Sequence, residues 1–404
     1  MSEAASLVYD WNRDGRAAKA DYRAVQLDDE TLRDGLQGPS VRNPPLDVKK
    51  RLLRLMDQLG IDSADIGLPG ASERARAEIV ALARETTTLT RLKPNMALRT
   101  HPADVQGAIR AAQESGVAIE ACAFIGSSPI RRYAESWSLD TMLRNVEESV
   151  AALVKAGLPV MFVTEDTTRA DAETLVKLYE VAIGCGAKRI CASDTVGHAT
   201  PEGVRNLLSF IRADIIRGRD VLLDYHGHND RGLGTINALT ATAIADRVHG
   251  CALGIGERVG NTSMDQLLIN MRIWGLIDRD LSPLVEYVTL VSEHCGIPIP
   301  ASYPALGADA FRTGTGVHAA AVIKALRRGD RELADLVYSG VPASVVGREQ
   351  RIEVGPMSGE SNVVFWLESH GFTADRDRVA RLMEAAKKSD RLLGEDELTA
   401  LARP

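Results

Sequence analysis

The segment DVLLDYHGHNDRGLGTINALTATAIAD, residues 220–246, carries the pattern that decides the fold. A short apolar run, Val221 to Leu223, leads into a polar, glycine-bearing stretch, His226-Gly227-His228-Asn229-Asp230. A segment of helical spacing rich in small and apolar residues follows. A short apolar run bounded by turn residues reads as a buried strand, and with the helix behind it the segment is one βα unit.

The same order recurs on both sides. YRAVQLDDETLRDG precedes DVKKRLLRLMDQLG, and IDSADIGLPG precedes SERARAEIVALARET, where Ser72 is a cap candidate. RLKPNMALRT precedes PADVQGAIRAAQESG, and VAIEACAFIGSSP precedes SLDTMLRNVEESVAALVKAG. LPVMFVTEDTTR, AKRICASDTVG and RVHGCALGIGERVGN each lead into a helical segment in the same way. With residues 220–246 the count reaches eight before about residue 280. Eight units of roughly 30 residues predict an α/β fold, a (β/α)8 TIM barrel; a doubly wound open sheet is the alternative, and the closure of the count at eight favours the barrel.

The predicted organisation is an N-terminal arm over 1–23, the barrel over 24–280, and a C-terminal region over 281–404. That last region combines helices such as GVHAAAVIKALRRGD with the Pro- and Gly-rich linker IPIPASYPALGADAFRTGTG. Apolar residues make up 45% of the 404 and aromatics only 4%, which predicts a sizeable and mainly aliphatic core. The net charge of -7 and the lack of a Lys/Arg block argue against nucleic acid or an anionic membrane as the main partner. Five cysteines without a CxxC pair predict reduced thiols in a cytoplasmic protein. Neither a signal-peptide h-region nor an apolar run near the roughly 20 residues of a membrane span is evident.

In a barrel the polar segments after the strands share one mouth. His226 and His228 alternate on one strand and so face the same side. Two imidazoles there can bind one divalent cation, and Asp34, at the end of the first strand in ETLRDG, offers a carboxylate to the same ion. The first and seventh strands flank the eighth in a closed ring, so these residues are predicted to be near each other. Arg33 is a permanent cation suited to a developing enolate or alkoxide. The loop GIGERVGN after the eighth strand lacks dinucleotide-fingerprint spacing, but its glycines permit close approach to a ligand and its Asn261 is within reach of the metal. Asp65, Arg99, Ser128, Glu165, Asp166 and Thr195 end successive strands and are predicted to form a polar cup, with Arg99 and Thr195 suited to a substrate carboxylate.

DETLRDGLQ, HGHNDRGLG and GIGERVGNTS, with FIGSSPI, TEDTTR and DTVGHATP in order between them, resemble the DRE-TIM metallolyase superfamily, within it the branch of 2-isopropylmalate, homocitrate and citramalate synthases. The resemblance covers nearly all of the chain from about residue 25. It implies a divalent metal (Zn, Mg or Mn) held by Asp34, His226 and His228 with Asn261 near or in the shell. It also implies an α-keto acid chelated on that metal, and acetyl-CoA as co-substrate, enolised to attack the ketone, with hydrolysis of the resulting thioester. Gln37 and Glu165 match positions lining the same pocket, and Thr195 and Arg99 positions that orient the keto acid. His318, in AFRTGTGVHAAAVIKA, resembles an acid/base histidine that the family's C-terminal region brings to the active site, often from a partner subunit, which implies a homodimer. The implied setting is amino-acid biosynthesis, with a 2-isopropylmalate synthase-like reaction of leucine biosynthesis the first expectation.

The chain departs from the family pattern at three places. Glu30 stands where the family usually has Thr or Ser, Arg131 where isopropylmalate synthases commonly place a histidine, and Thr313 in place of another histidine. These leave the keto acid open, with homocitrate and citramalate synthases as alternatives. A lyase of the HMG-CoA lyase type is a further alternative, but that branch carries a cysteine in the glycine loop and GIGERVGN has none. After VGREQRIEVGPMSGESN, which resembles the family's short linker subdomain, no long regulatory domain is expected.

Overall fold

The computed structural model describes residues 3–13 and 21–403. Of the arm expected over 1–23, residues 1–2 and 14–20 lie outside the described residues. The chain divides into two compact units, one over Ala20–Pro298 and the other over Ile299–Pro404 with the N-terminal segment.

In the first unit eight parallel strands close into a barrel in sequence order: β1 (Gln26–Asp29), β2 (Ser63–Asp65), β3 (Lys93–Arg99), β4 (Glu120–Gly126), β5 (Val160–Glu165), β6 (Arg189–Asp194), β7 (Leu222–Gly227) and β8 (Arg247–Gly250). β8 pairs with both β1 and β7, so the ring closes where the sequence placed the candidate ligands. Helices return the chain after each strand, and their starts are locally encoded. Ser72, Ser138, Asp171 and Thr200 each accept a hydrogen bond from the backbone N–H three residues on, and Pro102, Pro129 and Pro201 open their helices. The stop-and-start punctuation therefore falls immediately beyond the strand ends and keeps the mouth loops short.

The core has two parts of opposite character. Outward-facing strand residues such as Leu27, Leu98, Phe162, Ile190, Leu223 and Val248 are buried with the helices. This is the aliphatic core the composition predicts. The inside of the barrel is ionic. Arg247 donates through Nε to Asp224 Oδ2 (2.6 Å), through Nη1 to Ser63 Oγ (2.9 Å) and through Nη2 to Glu120 Oε2 (2.7 Å). Arg189 donates to Asp224 Oδ1 (2.6 Å), and His249 Nε2 lies 2.9 Å from Asp224 Oδ2. Burial alone would raise the Asp224 carboxyl, but Arg247, Arg189 and His249 hold it well below the usual carboxylate range.

Helix Leu284–Cys295 packs under β1, where the Tyr287 hydroxyl donates to Asp29 and lies 3.2 Å from Thr31 Oγ1. Burial pushes Asp29 up to about 6 in spite of these hydrogen bonds. The folded protein thus holds a proton there that the unfolded chain, with a carboxyl near its ordinary 3.8, has already released. Stability from this group is complete below the unfolded value and is lost as pH rises through about 6. Asp29→Asn, whose amide can donate to Tyr287 while Tyr287 turns to Thr31, is expected to gain up to about 3 kcal/mol relative to the parent between about pH 4.5 and about pH 7.5. Urea unfolding at the two pH values measures this; parallel behaviour of the two proteins contradicts it.

The second unit has its own apolar clusters, one around Ala319, Val322 and Ile323 and one around Val363, Trp366, Leu382 and Leu398. The segment read as a linker is mostly turns, but Arg312–Thr313 pairs in parallel with Arg351–Ile352. Among the described residues no helix is long and apolar enough to cross a membrane.

Candidate metal centre at the barrel mouth

A cavity of about 240 Å³ opens at the C-terminal strand ends. Asp34 follows β1 after a tight turn, in which Gly35 N–H donates to Glu30 O at 3.0 Å. Its Oδ2 lies 3.3 Å from His226 Nε2 and 3.5 Å from His228 Nε2, and the two Nε2 atoms are 3.2 Å apart. Ligand atoms held about 2.0–2.2 Å from one divalent ion stand about 3.0–3.5 Å from each other, so these three donors have the spacing of a ligand set. All three residues are buried. Burial would raise the Asp34 carboxyl, but the Arg33 guanidinium and the two imidazoles hold it well below the usual range, so it is an anion. Burial, helped by His226, pushes His228 down to about 4, which keeps its ring neutral and a lone pair free near neutral pH.

The loop GIGERVGN closes over this side. Asn261 N–H donates to Gly254 O (2.9 Å), and Asn229 N–H to Gly260 O (3.0 Å), tying the loop to the end of β7. A Cβ on Gly260 would stand 1.8 Å from Gly254 O, and φ there is +88°, so only glycine fits. Asn261 is 2% exposed. Its Nδ2 donates to Ile255 O at 3.0 Å, while its Oδ1 has no partner. Asn261 bridges to His228 through the backbone and is not among the residues lining the cavity, and a buried acceptor left over next to that strand end fits an oxygen-tolerant divalent cation.

The other residues singled out in the sequence divide into two groups. Arg33, Gln37, Asp65, Glu165 and Thr195 line the cavity. Arg33 Nε donates to Asp65 Oδ2 at 2.8 Å and the guanidinium also pairs with Glu30, so it is a fixed cation. Burial pushes Asp65 up to about 6 against the pull of Arg33. Burial likewise raises Glu165, with Arg131 3.6 Å away opposing it. Thr195 Oγ1 accepts from Asp166 N–H at 2.8 Å. Arg99 and Ser128 are held elsewhere, which corrects the expected cup. Arg99 makes a two-bond pair with Asp104 (2.8 and 2.9 Å) in the first turn of the next helix. Ser128 caps the helix Pro129–Glu135 and bonds Asp166 at 2.5 Å. Neither lines the cavity. Asp166 is likewise occupied, by Arg169 and Ser128. His318 lies in the second unit, in the first turn of helix Gly316–Arg327, stacked on Tyr338 with ring centroids 4.1 Å apart.

Sequence reading missed Glu30 as a site residue, and with it His249. Glu30 Oε1 lies 2.9 Å from His226 Nδ1 and 2.7 Å from His249 Nδ1. The available signal was the strict alternation Asp224-x-His226-x-His228, which puts a third ionisable residue on the inner face of β7.

A closed parallel barrel whose mouth gathers one carboxylate and two imidazoles defines the class: a (β/α)8 protein with a candidate metal centre. The chain belongs to the HMGL-like family, whose model matches residues 24–291, and its three motifs are those of the DRE-TIM group. The chain is 30% identical over 372 residues to homocitrate synthase AksA of Methanothermobacter thermautotrophicus, covering 90% of this chain and 89% of that one. It is 32% identical over 374 residues to the probable 2-isopropylmalate synthase of Methanopyrus kandleri, covering 90% and 69%. HMG-CoA lyase of Bacillus subtilis shares the fold with a TM-score of 0.57 at 20% identity, covering 69% of this chain and 96% of that one.

Proposed function

We propose that the protein is an acyltransferase that condenses acetyl-CoA with an α-keto acid and hydrolyses the thioester to release CoA. The observation that carries this reading is the convergence of Asp34, His226 and His228 in the barrel mouth of a chain whose relatives are named as synthases of this kind. Those three residues, with Asn261, would hold the divalent cation. Bound there, it would supply Lewis-acid chemistry to the keto acid.

The side chains around that position supply the rest. Glu165, with its raised carboxyl, takes a proton from the thioester methyl. The methyl carbon then attacks the ketone carbon and the ketone oxygen becomes negative. Arg33, immobilised by Asp65 and Glu30, is a preorganised cation for that oxygen. Thr195 and Gln37 orient the keto acid. That oxygen regains the proton held by Glu165, and water then cleaves the thioester, giving a 2-hydroxy dicarboxylic acid and CoA. The family likeness adds His318 as an acid/base residue and a homodimer as the assembly.

Lyase chemistry of the HMG-CoA type has less support here. The glycine loop holds no cysteine, and Cys251 before it is fully buried with its thiol pushed far up by burial.

The lining favours a 2-isopropylmalate synthase-like reaction. The apolar part of the lining is Leu68, Ala97, Cys122, Phe124, Met161, Val163 and Cys191, beside the uncharged polar Asn95 and Ser193. Among the described lining residues the cations are Arg33 and Arg258, each already paired with carboxylates, while Asp28, Glu30, Asp65, Glu165 and Glu257 add negative charge. A second substrate carboxylate would meet no unpaired cation there and would be desolvated at a cost. A monocarboxylic keto acid with an apolar side chain fits better than 2-oxoglutarate. The metal-loaded protein is expected to release CoA with 2-oxoisovalerate at a kcat/KM about tenfold or more above that with 2-oxoglutarate, read with a thiol reagent. Preference for 2-oxoglutarate rejects the side-chain assignment; no CoA release with any keto acid and any of Zn, Mg or Mn rejects condensation.

A further inference from the structure

Glu30 occupies a place where its charge is put to unusual use. It is 3% exposed, and one oxygen, Oε1, faces both His226 Nδ1 and His249 Nδ1. The other, Oε2, pairs with Arg33. Behind it, His249 Nε2 meets Asp224 Oδ2 at 2.9 Å, and Asp224 is clamped by Arg189 and Arg247. A continuous run of contacts thus joins His226 to the ionic interior of the barrel. His228 has no such support, for its Nδ1 is buried without a partner. A Thr or Ser at position 30 would be too short to meet two imidazoles and a guanidinium at once.

An imidazole that donates its Nδ1 proton to a carboxylate keeps its Nε2 lone pair free and becomes a stronger ligand. We propose that Glu30 is a positioning residue, braced by His249 and Asp224, that fixes His226 in the Nδ1–H form with Nε2 toward the cation position and so sets how tightly that position binds a divalent ion. This rests on the metal reading above.

Two measurements on the full-length protein test it. In the metal-free protein, 15N spectra of labelled histidine should show His226 as the Nδ1–H tautomer, and Glu30→Thr should lose that preference. Titration of Mn²⁺ followed by electron paramagnetic resonance should show Glu30→Thr and Glu30→Gln binding about 10–100-fold more weakly than the parent. His249→Gln, which leaves Glu30 and Arg33 in place, should show a smaller loss. If Glu30→Thr does not fold, the isosteric Glu30→Gln carries both measurements. A parent His226 protonated on Nε2, or Glu30 variants within twofold of the parent in Mn²⁺ affinity, overturns the proposal. A parent that binds neither Mn²⁺ nor Zn²⁺ overturns the metal reading instead, and the tautomer of His226 still decides the role of Glu30.

Discussion

His228→Ala is expected to lower kcat/KM for CoA release by about a thousandfold or more while leaving the fold nearly untouched. Both halves of that expectation come from one residue's surroundings. His228 Nε2 is one of three donors within 3.5 Å of each other, so its loss leaves two ligands. Its Nδ1 has no partner, so truncation breaks no buried hydrogen bond on that side. The space vacated opens on the cavity and not on the aliphatic core. His226→Ala is less clean, because it also takes one of three partners from the buried Glu30, leaving His249 and Arg33. Thermal unfolding of the metal-free protein should shift by no more than about 1 °C, which is about 1 kcal/mol for a chain of this size. A His228→Ala protein that keeps more than about a tenth of the parent's turnover would remove His228 from the ligand set.

Arg247→Met carries the largest expected loss of stability, about 3–5 kcal/mol. Arg247 is 4% exposed and serves Asp224, Glu120 and Ser63 together. Methionine has similar reach and no charge, so volume is nearly kept while the buried Asp224 and the half-buried Glu120 each lose a partner. Arg189 and His249 still hold Asp224, which keeps the effect from being larger. The comparison is Arg391→Ala, which breaks a fully exposed pair with Glu397 and should leave the urea midpoint unmoved. Equal midpoints for the parent and Arg247→Met would mean that the barrel interior tolerates uncompensated charge through water.

The ionic interior also explains why part of the site was hidden in the sequence. The Arg33-Asp34 step, the His226-x-His228 pair and the glycine loop are each compressed into a few residues, and each lies where an apolar run ends. Glu30 is separated by 196 residues from His226 and by 219 from His249, and no local pattern links them. Arg99 shows the reverse error. Its position at a strand end pointed into the mouth, yet Asp104 five residues on offers a planar carboxylate closer than any ligand, and the pair forms there.

By itself the sequence determined the eight βα units, their order around the ring and the three metal-ligand candidates. Those depend on hydrophobic period, on caps and glycines, and on residues a few positions apart. Only the tertiary structure decided which charges face one another inside the ring: Glu30 between two imidazoles, Asp224 between two arginines and His249. A strand's alternation fixes which side a residue faces, but the neighbour it meets there is set by the register of eight strands at once, and no single segment encodes that.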